Sequence, residues 1–282
     1  MENLLEIKGL TKRYDGFTLD SIDLAIPKGC IMGFIGENGA GKTTTIKLIL
    51  NLIHRDQGLI KVFGLDNQKH ELQIKQDLGV VFDESNFPDS ILVPHVDAVM
   101  KRIYRNWDSN TFYNYIDKFS LPTKKEYKSF SRGMKMKLSL AVALSHNPRL
   151  LLLDEATSGL DPVIRDEILD VFLEFIQDEE KSILVSSHII SDIEKIADYI
   201  VFIHQGRIVF AESKEDLARN YGILKCTIAD FETLEQQYIK GYRKNQFGVE
   251  ALVLKEHFKK GYLVDPASLE QIMLFTIKGD NR

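Results

Sequence analysis

The chain has 282 residues, 44% of them hydrophobic and 27% charged, with a formal net charge of −5. That length suits one large domain with an appendage or two modest domains, and the acidic balance argues against a nucleic-acid binder that relies on bulk positive charge. Two cysteines, Cys30 and Cys226, give neither a metal-ligand spacing nor a disulfide framework, and no apolar run approaches the ~20 residues of a membrane-spanning helix. Met1-Glu2-Asn3 lacks the basic start and apolar core of a signal peptide, so a reduced, cytoplasmic setting is expected.

Strand character opens the chain, over 4–7, 17–26 and 30–35. The third run leads into Gly36-Glu37-Asn38-Gly39-Ala40-Gly41-Lys42-Thr43-Thr44, which fits the P-loop pattern G-x-x-x-x-G-K-[ST]. Ile46, Leu48, Ile49 and Leu52 then recur at helical spacing. In such a strand–loop–helix unit the backbone N–H groups of the loop turn toward phosphate oxygens, and the helix N-terminus adds its dipole. Lys42 is expected to reach the β- and γ-phosphates and the Thr43 hydroxyl to ligate Mg²⁺, so the segment predicts binding of a nucleoside triphosphate.

A turn at Asp56-Gln57-Gly58 precedes a short strand over 59–63, a helix over 67–78 and a buried strand over 78–82. From about 84 to 147 the pattern becomes helical, rich in aromatics and lysines and punctuated by Pro88, Pro94 and Pro122. It reads as an inserted helical subdomain. Strands return at 150–153 and 182–186 around a helix over 161–177. Strands alternating with helices predict an α/β fold: a P-loop NTPase with a mostly parallel central sheet and an N-terminal antiparallel β part. After about 213 the alternation weakens, leaving candidate strands at 223–228 and 251–255 and a candidate helix at 268–275. The division expected is 1–215 for the nucleotide-binding domain and 216–282 for a short C-terminal α+β extension.

Leu150-Leu151-Leu152-Leu153-Asp154-Glu155 is an apolar run that delivers two carboxylates to a strand end. Asp154 is expected to hold Mg²⁺ through water, and Glu155 to polarise the attacking water or accept its proton.

Taken together, these motifs resemble the nucleotide-binding subunit of ATP-binding-cassette (ABC) transporters. The family's signature segment corresponds to Phe130-Ser131-Arg132-Gly133-Met134. Ser158-Gly159-Leu160-Asp161 resembles its D-loop, and His188 after Ser186-Ser187 its switch histidine. Tyr14 stands where the family sets an aromatic ring against adenine. The ending Ala267-Ser268-Leu269-Glu270-Gln271-Ile272 resembles ATPase subunits of bacterial exporters of the lantibiotic-immunity and bacitracin-resistance type.

The resemblance implies a head-to-tail dimer, with itself or a homologous subunit, that sandwiches two ATP molecules. Ser131, the N–H of Gly133 and His188 would contact the γ-phosphate, and Asp161 of the D-loop would count among the nucleotide-binding residues. It also implies separate transmembrane permease subunits, peripheral attachment to the inner face of the cell membrane, and no nucleic acid. One P-loop, with only about a hundred residues between Lys42 and Asp154, disfavours two-cassette translation ATPases and coiled-coil chromosome ATPases. The tail is too short for the regulatory barrel of many importers.

Three positions in two segments depart from the family pattern. Asp83 stands where Gln is usual and is expected to serve as a metal-side ligand. Arg132 replaces a Gly and Met134 a Gln. Arg132 either stabilises phosphate charge across the dimer or points away and pairs with a surface acid.

Overall fold

Alternating burial explains the first layer. The computed structural model describes residues 2–83, 87–258 and 262–278, so the start of the expected helical subdomain at 84–86 lies outside the described residues. The chain divides into two compact units, Met1–Ala211 and Glu212–Arg282. β1 (Asn3–Tyr14) and β2 (Phe17–Pro27) pair antiparallel, with Leu5 opposite Ile26 and Ile7 opposite Leu24. In β2, Ile22, Leu24 and Ile26 are buried while Asp23 and Ala25 face solvent, the period-two pattern of a half-covered sheet.

β3 (Ile31–Ile35) is buried throughout and leads to α1 (Lys42–Ile49), which ends before Leu52. β4 (Gln57–Val62) and β5 (Leu65–Asp66) complete the antiparallel sheet in the order β2-β1-β4-β5. The helix expected over 67–78 is shorter, α2 (Glu71–Gln76), because Asn67 is buried as a connector whose side chain donates to the Leu48 and Ile49 carbonyls.

β6 (Leu78–Val81) precedes a helical stretch of α3 (Val93–Ile103), α4 (Ser109–Lys118) and α5 (Arg132–Leu144). Next come β7 (Leu150–Asp154), α6 (Pro162–Phe175), β8 (Ser182–Ser187) and α7 (Ile190–Ile196). The chain then forms two strands not anticipated from sequence, β9 (Tyr199–His204) and β10 (Arg207–Ser213). They join at Gln205-Gly206, both at positive φ, as a two-residue hairpin turn requires.

The second sheet runs β10-β9-β3-β8-β7-β6, and the β9-β3, β3-β8, β8-β7 and β7-β6 pairs are parallel. β3, β7 and β8 are buried at every position, as strands covered on both faces must be. Their carboxyl ends sit side by side. Ile35 pairs with Ser187, and Asp154 with Ser186. Ligands of open α/β sheets bind at this edge.

His146, just past α5, packs face to face on Tyr104 with ring centroids 3.8 Å apart, and its Nε2 lies 3.0 Å from the Leu78 carbonyl. Burial holds its imidazole below the ordinary 6.5, outweighing the two carbonyl contacts. The unfolded chain therefore takes up this proton at a higher pH than the folded one. His146's contribution to stability is complete above about pH 6.5 and is lost as pH falls toward the folded value. On lowering pH from about 7.5 to about 5.5, the melting temperature of wild type should fall further than that of His146→Phe, so the gap between them shifts against wild type. A gap independent of pH would contradict this.

The second unit holds α8 (Lys214–Asn220), β11 (Tyr221–Cys226), α9 (Ile228–Glu232), β12 (Ile239–Asn245), β13 (Gly248–Leu254), β14 (Val264–Pro266) and α10 (Leu269–Lys278). Its antiparallel sheet runs β12-β13-β11-β14 over a core of Leu224, Phe231, Val249, Ala251, Val253 and Phe258. Ile228, expected to end a strand, instead opens α9, because the Thr227 hydroxyl caps that helix by accepting from the Asp230 N–H. Among the described residues no helix is long and apolar enough to cross a membrane. Both cysteines are free, and burial pushes the Cys30 thiol up to about 12, so it stays protonated and unreactive at neutral pH.

Candidate functional site

The loop from β3 to α1 is shaped by its last glycine. Gly41 sits at φ +115°, where an added Cβ would lie 2.8 Å from Leu19 Cδ1. It precedes α1 without any side-chain cap, and the loop is tied to the β9–β10 turn by a 3.0 Å hydrogen bond from the Gly206 N–H to the Ala40 carbonyl. Glu37, Asn38 and Gly39 are exposed, as is Thr43, while Thr44 is half-buried on the first turn of α1.

Lys42 is only 5% exposed. Its Nζ donates to the carbonyls of Gly36 at 2.7 Å and Glu37 at 3.2 Å, and lies 3.3 Å from Glu155 Oε1. That last contact is electrostatic. Glu155 Oε1 is buried and takes no hydrogen bond, so the ammonium is close but not aligned with it. A buried carboxylate oxygen without a donor is ready to accept one from a small molecule.

The other face of the site is built by β7 and β8. Asp154 is 4% exposed, receives a 2.6 Å hydrogen bond from Ser186 Oγ, and forms no salt bridge among the described residues. A buried carboxylate with no cationic partner suits a bound cation. Glu155 adopts a left-handed backbone, φ +54°, uncommon for a residue with a side chain. Its N–H is held by the Ser186 carbonyl at 3.1 Å and lies 3.2 Å from Ser186 Oγ. This turn lets the carboxylate reach between Lys42 and His188, whose Nδ1 is 2.6 Å from Glu155 Oε2. Lys42, Glu155 and His188 are thus joined in one chain of contacts. Ser186, which orients both acids, was not singled out from sequence; a serine ending an apolar strand beside an Asp-Glu pair was its only signal.

Tyr14 ends β1 at 44% exposure, with its ring 6.5 Å from that of Phe17 and the Lys12 ammonium 5.6 Å from its centre. Phe17 in turn borders Gly41, where an added Cβ would lie 3.2 Å from its ring. An exposed aromatic face therefore stands next to the phosphate loop.

The signature segment has its own set of contacts. Ser131 caps α5 by accepting from the Met134 N–H at 3.2 Å, and Asp161 caps α6 by accepting from the Ile164 N–H at 3.1 Å. Gly133 packs against Ile164, so tightly that a Cβ would fall 2.5 Å from Ile164 Cδ1. Asp83 meets a competing partner for its expected metal role: its carboxylate is ion-paired with the Arg132 guanidinium. The surface-acid alternative for Arg132 is the one seen in this structure.

The profile described as "ABC transporter" matches residues 19–158. The chain is 30% identical to "ABC transporter ATP-binding protein YtrB" of Bacillus subtilis, over 99% of this chain and 100% of that protein. It is 32% identical to "Bacitracin transport ATP-binding protein BcrA" of Bacillus licheniformis, over 88% of this chain and 84% of that protein. A solved structure, "Structure of ATP binding subunit of ABC transporter", superposes with a TM-score of 0.70 at 25% identity, covering 77% of this chain and 92% of that one.

Proposed function

This chain belongs to the ABC transporter family of ATP-binding subunits, which hydrolyse ATP to power transport, and on that premise we propose that it drives export of peptides or antibiotic-like compounds. In this reading two copies, or one copy and a homologous subunit, close around ATP, and separate membrane-spanning subunits turn closure into alternating access. The chain would lie on the inner face of the cell membrane through those partners. The observation that carries the reading is the Lys42–Glu155–His188 linkage at the carboxyl edge of the parallel sheet. The likeness to a bacitracin transport protein supports the cargo class.

Glu155 accepts the proton of a water that attacks the γ-phosphorus, the bond to the β–γ bridging oxygen breaks, and ADP and phosphate leave. The free Oε1 supplies the acceptor and Lys42 holds charge at the phosphates. With Nδ1 of His188 held against Glu155 Oε2, Nε2 is the ring nitrogen left to face phosphate. The Thr43 hydroxyl and Asp154 would hold Mg²⁺, which neutralises charge on the β- and γ-phosphate oxygens. Ser131 and Gly133 of one subunit would face the nucleotide of the other, with Asp161 near the join. Tyr14 would offer its ring to adenine.

Isolation of the tagged chain from detergent-solubilised membranes of its host tests the transport reading. It should bring down an integral membrane protein in near-stoichiometric amount, and cells lacking the chain should become more sensitive to a peptide antibiotic. Recovery free of any membrane protein, with unchanged sensitivity, would overturn it.

A further inference from the structure

Asp83 and Arg132 are 49 residues apart in sequence, yet their side chains form one ion pair between the segment after β6 and the first turn of α5. A third segment closes on the same guanidinium. Gly159, in the loop that carries the chain from Glu155 to the cap of α6, has φ +64°, and a Cβ there would lie 2.6 Å from Arg132 Nη1 and 2.8 Å from Cζ. The guanidinium therefore lies directly against the Gly159 backbone.

Electrostatics explain why the acid and the cation belong together. Arg132 is the first residue of a 13-residue helix, where a positive side chain opposes the helix dipole. The Asp83 carboxylate supplies the compensating charge, and its pairing with a guanidinium fixes direction as well as attraction.

We propose that Arg132, Asp83 and Gly159 form a clasp that positions the Glu155–Asp161 loop for hydrolysis. Arg132 is then a positioning residue that acts through the loop, and Asp83 acts through Arg132. The glycine keeps the backbone open to the guanidinium. This rests on Glu155 being the base of the proposed reaction, but the contacts of the clasp itself do not depend on that reading.

Two measurements test it. In the nucleotide-free chain, amide hydrogen exchange over residues 155–161 should accelerate about fivefold or more in Arg132→Ala and Asp83→Asn, with little further change in the double variant. Unchanged exchange in both single variants would overturn the clasp, whatever the chain transports or hydrolyses.

In steady-state ATPase assays, both single variants should lose about tenfold in kcat while KM for ATP stays within about twofold. The charge-reversed pair Asp83→Arg with Arg132→Asp should recover part of the loss. Gly159→Ala should cost more in wild type than in the Arg132→Ala background, where the Cβ meets no guanidinium. A raised KM in Arg132→Ala alone would make Arg132 a nucleotide ligand, and a shifted Mg²⁺ half-saturation in Asp83→Asn would make Asp83 a metal ligand. Either result replaces the clasp. An ATPase-dead wild type with the expected exchange change would leave the clasp standing and remove the reaction assigned to Glu155.

Discussion

Lys42→Ala should lower ATP affinity at least ~10²-fold, which is about 2.8 kcal/mol at roughly 1.4 kcal/mol per tenfold. The buried ammonium donates to the Gly36 and Glu37 carbonyls and sets its charge 3.3 Å from the Glu155 carboxylate. Removing it leaves those carbonyls short of a donor and a half-buried carboxylate facing a triphosphate of the same sign. Charge-assisted hydrogen bonds contribute ~1.5–3 kcal/mol each, so losing the ammonium's contacts with phosphate alone accounts for a loss of this size. The variant should melt lower as well, since Lys42 also ties the loop to itself. Equilibrium titration with a fluorescent ATP analogue reads the affinity directly. Lys42→Arg should not restore it, because the larger planar head does not fit a site that holds Nζ 2.7 Å from a backbone carbonyl.

Glu155→Gln should have the opposite signature, leaving binding intact and lowering turnover by about 10²–10⁴, the range of a lost general base. The amide keeps the shape and the contact with His188, but its oxygen cannot take a proton from water at neutral pH. Glu155 is set apart by its backbone, turned into the left-handed region with its N–H pinned to Ser186, so that its free oxygen is aimed into the site. Phosphate release in single-turnover mode separates the two effects. A variant that keeps more than about a tenth of wild-type turnover would move the base elsewhere.

Much of the fold was written locally. An apolar strand, a glycine loop and a helix in series can hardly be anything but a phosphate site, and four leucines feeding Asp154-Glu155 mark a buried strand that ends at chemistry. The β9–β10 hairpin was missed because its turn is Gln205-Gly206 rather than Asn-Gly or Asp-Gly, and because β10 has mixed exposure. β12 was missed because Lys240, Lys244 and Asn245 are exposed along a sheet edge, which erases the apolar alternation. Within the candidate site, local pattern pointed to Lys42, Asp154 and Glu155, which the fold brings to one edge of the sheet. It could not pair Asp83 with Arg132, since two exposed residues in separate segments carry no mutual signal until the chain folds. Ser186 escaped for a similar reason: its role lies across the strand pair from Asp154.

The most direct test of the account is the mass of Glu155→Gln by light scattering, with and without ATP and Mg²⁺. A site completed by the signature segment of a second copy predicts a rise from the 32.3 kDa of the single chain to twice that value when ATP is present, and reversal on its removal. A chain that binds ATP at full occupancy yet remains at 32.3 kDa would contradict the shared site between identical copies.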